Sequence, residues 1–244
     1  MSGRSPIRMV VGIVMLALVY AWAYRAGAVQ SFTAAIGADD PGKLSVPLLS
    51  DRPAVSDNEA VNEAMSELDG LRVAGRAPKT GYSRDQFGPA WTDVDGNGCD
   101  TRNDVLARDL TAETFTADGG TCVVATGTLA DLYTGTTIVF TRGKTTSSAV
   151  QIDHVVALSD AWQKGAQALT ATERTALAND PANLRAVDGP TNSAKGDGDA
   201  ATWLPPNKAA RCAYVSAQVD VKATYNLWVT AAERNAIAQV LEAC

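Results

Sequence analysis

The sequence predicts an α+β domain, and three observations carry that prediction. Short runs rich in Val, Ile and Thr, at 122–129, 136–141 and 150–158, have strand composition and lie between turn residues. Other segments repeat apolar residues at helical spacing, and two of them open on capping boxes, Thr170-x-x-Glu173 and Thr230-x-x-Glu233. Strands and helices occur in blocks with no internal repeat, and roughly 190 residues after a loosely patterned leader suit one domain with one core.

The elements follow in order. Arg4 and Arg8 precede an uncharged stretch, 9–24, and then Arg25-Ala26-Gly27-Ala28, so residues 1–28 read as a cleaved secretory signal or an uncleaved membrane anchor. Residues 29–55, rich in Ala, Gly, Asp, Pro and Ser without a period, read as a linker. The domain is expected over 56–244. Ser56 caps a helix with Val61, Met65, Leu68 and Leu71 on one face. A turn at Tyr133-Thr134-Gly135 separates the first two strands, and 150–158 reads as a third. A short helix from Thr170 stops before Asp180-Pro181, and 183–187 gives one more strand. Pro205-Pro206-Asn207 opens a helix over 208–225, and Thr230 starts the last helix.

Four cysteines in an exported chain imply disulfides, and three pairings are possible. If the two C-terminal helices pack antiparallel, the start of the first meets the end of the second. That pairs Cys212 with Cys244 and leaves Cys99 for Cys122. The formal net charge is −6; removing Arg4, Arg8 and Arg25 from 21 basic residues leaves 18 against 27 acidic ones, or −9. Such a chain does not hold nucleic acid by bulk electrostatics. A local cationic cleft remains open to it, and Arg142, Lys144, Lys164, Arg185, Lys195, Lys208 and Arg211 cluster in sequence around the candidate site.

That site centres on His154, the single histidine, which follows Asp153 on an apolar run. Downstream lie Asn183, in Asp180-Pro181-Ala182-Asn183-Leu184, and Asn192-x-x-Lys195. Together they form a set suited to one hard divalent metal beside one general base. Adjacent strand residues point to opposite faces, so Asp153 and His154 serve one phosphate only if the strand turns or ends there. Taken singly, each has a structural reading: a histidine on an apolar strand, an Asp-Pro turn, an exposed helix turn.

The ordered set Ile152-Asp153-His154-Val155-Val156-Ala157-Leu158, Asn183-Leu184, Asn192-x-x-Lys195-Gly196-Asp197 and Trp203-Leu204-Pro205-Pro206 resembles exported HNH endonucleases related to the C-terminal domain of GmrSD-type restriction enzymes. The resemblance spans residues 82–244. It implies a ββα-metal core with an N-terminal helix and a C-terminal helical hairpin. It also implies Asp153 and Asn192 as ligands to Mg²⁺ or Mn²⁺ and His154 as the base that deprotonates water. Asn183 ties the loop that positions the base, and Lys195 contacts phosphate. The expected substrate is nucleic acid, DNA favoured, cut without sequence specificity to leave 5′-phosphate and 3′-hydroxyl ends. No stable protein partner is implied, and a membrane enters only through the N-terminal anchor.

One motif stands apart. Asp93-x-Asp95-x-Asn97-Gly98, with Asp104 at position twelve, fits a Ca²⁺ loop with ligands Asp93, Asp95, Asn97 and Asp104. The same stretch, Trp91 to Asn103, is a fingerprint of the resembled family, in which Arg102 is a candidate phosphate contact. A third reading is a turn that caps a helix over 101–110 and is pinned by Cys99. The competing function is therefore a non-enzymatic exported calcium-binding or wall-associated module. A serine hydrolase lacks its G-x-S-x-G, and a cysteine enzyme lacks a free thiol.

Overall fold

A computed structural model describes residues 57–244. The expected signal or anchor, the linker and the Ser56 cap lie outside the described residues. Helix α1 (Asp57–Gly70) buries Ala64 and Leu68 and packs Val61 and Met65 against the same cluster. Helix α2 (Thr101–Asp109) leads into an antiparallel sheet, β1 (Leu110–Phe115), β2 (Val124–Ala130) and β3 (Thr137–Thr141), in the order β1-β2-β3. A second, two-stranded sheet pairs β4 (Val150–His154) with β5 (Leu184–Asp188), in a register that sets His154 opposite Leu184. Between them run α3 (Leu158–Gln163) and α4 (Ala171–Asn179). Helix α5 (Gly189–Lys195) follows β5 directly, and α6 (Arg211–Thr224) and α7 (Ala231–Leu241) close the chain. The fold is α+β. The first helix packs on the last two, and α2 lies against both sheets.

Both capping boxes form: Thr170 and Glu173 at α4, Thr230 and Glu233 at α7. Two elements differ from the sequence reading. The run 150–158 is a strand only to His154 and becomes α3 at Leu158, because a continuous buried apolar run fits either element and carries no period to choose between them. Strand β1 carries no signal in the sequence. Only its first residue, Leu110, is buried, so an edge strand formed by pairing to β2 has no apolar alternation to announce it.

Cys99 bonds Cys122, and Cys212 bonds Cys244, as the antiparallel α6–α7 packing required. The second bridge closes a separation of 32 residues and anchors the C-terminus. Replacing both Cys212 and Cys244 by serine is expected to cost about 2–4 kcal/mol, read as a lower midpoint in urea. No helix among the described residues is long and apolar enough to cross a membrane.

Candidate active site

The site is built on β4, β5 and α5. Asp153 and His154 end β4, and the chain bends at Val155–Val156 instead of continuing as strand. Asn183 holds that bend. Fully buried, it accepts from the Val156 N–H through Oδ1 at 2.8 Å, donates through Nδ2 to Leu177 O at 3.2 Å, and receives Val155 N–H on its own carbonyl at 2.8 Å. This bend resolves the opposite-face problem, since Asp153 and His154 line one cleft.

His154 Nε2 lies 2.9 Å from the carbonyl of Ala178, near the C-terminus of α4. A carbonyl only accepts, so Nε2 carries the proton and Nδ1 keeps its lone pair. Burial pushes the imidazole down to about 4, despite the hydrogen bond to Ala178 that favours its charged form. It is therefore neutral, and able to take a proton, throughout the neutral range.

Asp153 is buried and doubly engaged. Lys195 Nζ lies 2.9 Å from its Oδ1 and 2.8 Å from its Oδ2, and also donates to His154 O at 2.7 Å. The Tyr133 hydroxyl donates to Oδ2 at 2.5 Å. Burial raises the Asp153 carboxyl above its ordinary range, and Lys195 and Tyr133 pull the other way. Lys195, itself buried, thus braces the carboxylate and does not project into the cleft as a free cation. Tyr133 comes from the β2–β3 hairpin, inside an aromatic cluster with Trp203 and Tyr214. In Tyr133→Phe the carboxylate loses a buried donor; an expected cost of about 1–3 kcal/mol is checked by chemical denaturation.

Asn192 sits on α5. Asp188 caps this helix, accepting from Thr191 N at 2.8 Å, and Pro190 starts it. A side chain at Gly189 would place Cβ 2.0 Å from Ser148 O, so only glycine lets α5 approach the entry to β4 this closely. The Asn192 amide nitrogen donates to Gln151 Oε1 at 3.0 Å, which leaves its carbonyl oxygen for another partner. A cleft of about 370 Å³ brings Asn192 together with Asp153 and His154, and Lys79, Arg84 and Asp197 complete its polar wall.

Among the described residues, no group of three or more His, Cys, Asp or Glu side chains is arranged to hold a metal ion. One carboxylate and one amide carbonyl nevertheless match the sparse oxygen sets that hold Mg²⁺ while water and substrate phosphate fill the remaining positions. Asp153 and Asn192 fit that chemistry.

Other expected groups lie elsewhere. Arg102 is on α2 and does not line the cleft; burial and the neighbouring Arg142 guanidinium lower its pKa. Asp100 caps α2, accepting from Asn103 N at 2.9 Å. In the acidic loop Asp93 accepts from Gly96 N and Gly98 N, while the Asn97 amide joins Asp95 to Asp104. Of the basic residues near the motif, Lys164 is in a buried ion cluster, and Arg142, Arg185 and Arg211 donate to backbone carbonyls. The cleft takes its cations from Lys79 and Arg84 instead, in a stretch with no period or motif to mark it.

Residues 100–240 match the family model described as GmrSD restriction endonucleases, C-terminal domain. The chain is also 40% identical over 187 residues to an "Uncharacterized secreted protein" of Arthroderma benhamiae, across 76% of this chain and 86% of that one. No solved structure matches.

Proposed function

The chain belongs to the family of GmrSD restriction endonuclease C-terminal domains, a nuclease-type hydrolase family with nucleic acid as its substrate class, and we propose that it is an exported, metal-dependent endonuclease of HNH type. One observation carries the finer reading: a neutral histidine, tied through Nε2 and open at Nδ1, shares a cleft with one carboxylate and one amide oxygen. His154 Nδ1 takes the proton from the attacking water. Asp153 and Asn192 would hold Mg²⁺ or Mn²⁺, which when bound offsets charge on the phosphate and on the leaving 3′ oxygen. Lys195 and Tyr133 hold the Asp153 carboxylate in position, and Asn183 fixes the bend that presents His154. Lys79 and Arg84 supply positive charge for the substrate backbone, which a net-acidic protein needs locally. DNA is the favoured substrate and RNA a second one, and cleavage is without sequence specificity, the backbone being what Lys79 and Arg84 are placed to contact.

The leader pattern, the two disulfides and the relative described as secreted support export. Incubating residues 29–244 with plasmid DNA and with RNA, in Mg²⁺ or Mn²⁺ and then in excess EDTA, tests the activity. Metal-dependent degradation that EDTA stops is expected. Intact nucleic acid in both metals contradicts the proposal.

A further inference from the structure

A second cavity, of about 100 Å³, opens beside the cleft, and His154 and Arg84 line both. Its apolar wall comes from Phe87, Trp91, Leu158 and Ala178. The Trp91 ring lies within 18° of parallel to the His154 imidazole, with centroids 6.4 Å apart. Trp91 also has φ of 60°, a left-handed backbone that bulky side chains rarely adopt and that persists only where its surroundings impose it.

The surroundings do impose it. Phe87 is buried, Arg174 Nε donates to Gln86 O at 2.7 Å, and Thr101 Oγ1 donates to Thr92 O at 2.5 Å, so the segment carrying Trp91 is held on both sides. Asn179 lines the same cavity; its Oδ1 is buried without a hydrogen-bond partner, while its Nδ2 is used by Thr175 O. An aromatic platform and an arginine shared with the phosphate cleft are the parts that receive a nucleobase. The cavity is too small for an oligonucleotide and suits one planar ring. Trp91 and Arg84 lie outside the matched residues 100–240.

We propose that this cavity is a nucleobase subsite, in which Trp91 stacks the unpaired base of the nucleotide next to the scissile phosphate while Arg84 contacts the adjoining backbone. The inference rests on the nuclease reading and deepens it: the preferred substrate is a strand whose base can leave its stack.

The test is cleavage of end-labelled single-stranded oligonucleotides with Mg²⁺, each carrying one abasic site at a defined position, by the parent, Trp91→Ala and Trp91→Phe. The parent is expected to cut the phosphate flanked by the abasic site about 10-fold more slowly, in kcat/KM, than the same phosphate beside an intact base. Trp91→Ala is expected to erase that difference by slowing the intact substrate, and Trp91→Phe to restore part of it. Equal rates on both substrates by the parent, or a difference that survives in Trp91→Ala, overturns the subsite and leaves the nuclease reading standing. A parent that degrades plasmid DNA but cuts neither oligonucleotide overturns the subsite alone, and one that cuts neither oligonucleotide nor plasmid overturns both. Melting curves of both variants separate lost stacking from lost folding.

Discussion

Phosphodiester hydrolysis is expected to fall by about 10²–10⁴-fold in His154→Ala, the range that a positioned general base contributes. Nε2 is committed to Ala178 O, so Nδ1 is the nitrogen left to accept a proton, and burial keeps the ring neutral. The chain has no second histidine, so no neighbouring imidazole substitutes. Because His154 is buried, truncation also leaves the Ala178 carbonyl unpaired, and a loss of activity in alanine alone has two explanations. His154→Asn separates them: its amide is able to donate to the carbonyl, yet it has no basic nitrogen. The account expects both variants to be inactive, with the asparagine variant nearer to parental stability by thermal unfolding. Parental activity in either variant removes His154 from the mechanism.

Lys164→Met is expected to be the most damaging substitution for stability, at about 3–5 kcal/mol. Lys164 is fully buried and lies 2.8 Å from Asp160, 2.7 Å from Asp199 and 2.6 Å from Glu233. Arg76 bridges Asp160 and Asp199, and Lys222 bridges Asp160 and Glu233. Three cations thus face three carboxylates. Removing the central ammonium leaves buried acids in excess, a penalty that the methionine's apolar volume does not offset. For a chain of this size the change corresponds to a drop in Tm on the order of 10 °C. The cluster ties α3, α6 and α7 to the loop after α5, in which Asp197 lines the cleft and accepts from Ser159 at 2.9 Å. Activity is therefore expected to decline at temperatures below the new midpoint.

Much of the site was legible in the sequence because its parts carry local signals. Asp153-His154, Asn183 and Asn192-x-x-Lys195 occur in a recognisable order, and the capping boxes and the cysteine pairing follow from short-range chemistry and helix packing. What escaped depends on long-range placement. Tyr133 read as an ordinary turn residue, because nothing in Tyr133-Thr134-Gly135 says that the hairpin tip folds over Asp153. Lys79 and Arg84 occur in aperiodic chain whose path is set by contacts such as Trp162 Nε1 to Thr80 O. Lys195 is expected from the sequence to contact phosphate, whereas packing of α5 on β4 buries its ammonium against Asp153. Charge clustering along the chain was a poor guide to charge in the cleft, since several of those cations are spent on carbonyls and buried carboxylates.

The central claim is that Asp153, His154 and Asn192 direct water onto a phosphodiester with a divalent metal. It is tested most directly by end-group analysis of an oligonucleotide cut by residues 29–244 in Mg²⁺ or Mn²⁺. The account predicts 5′-phosphate and 3′-hydroxyl ends, formed only when metal is present and lost with Asn192→Ala. Products ending in 3′-phosphate, or cleavage that continues in EDTA, would contradict it.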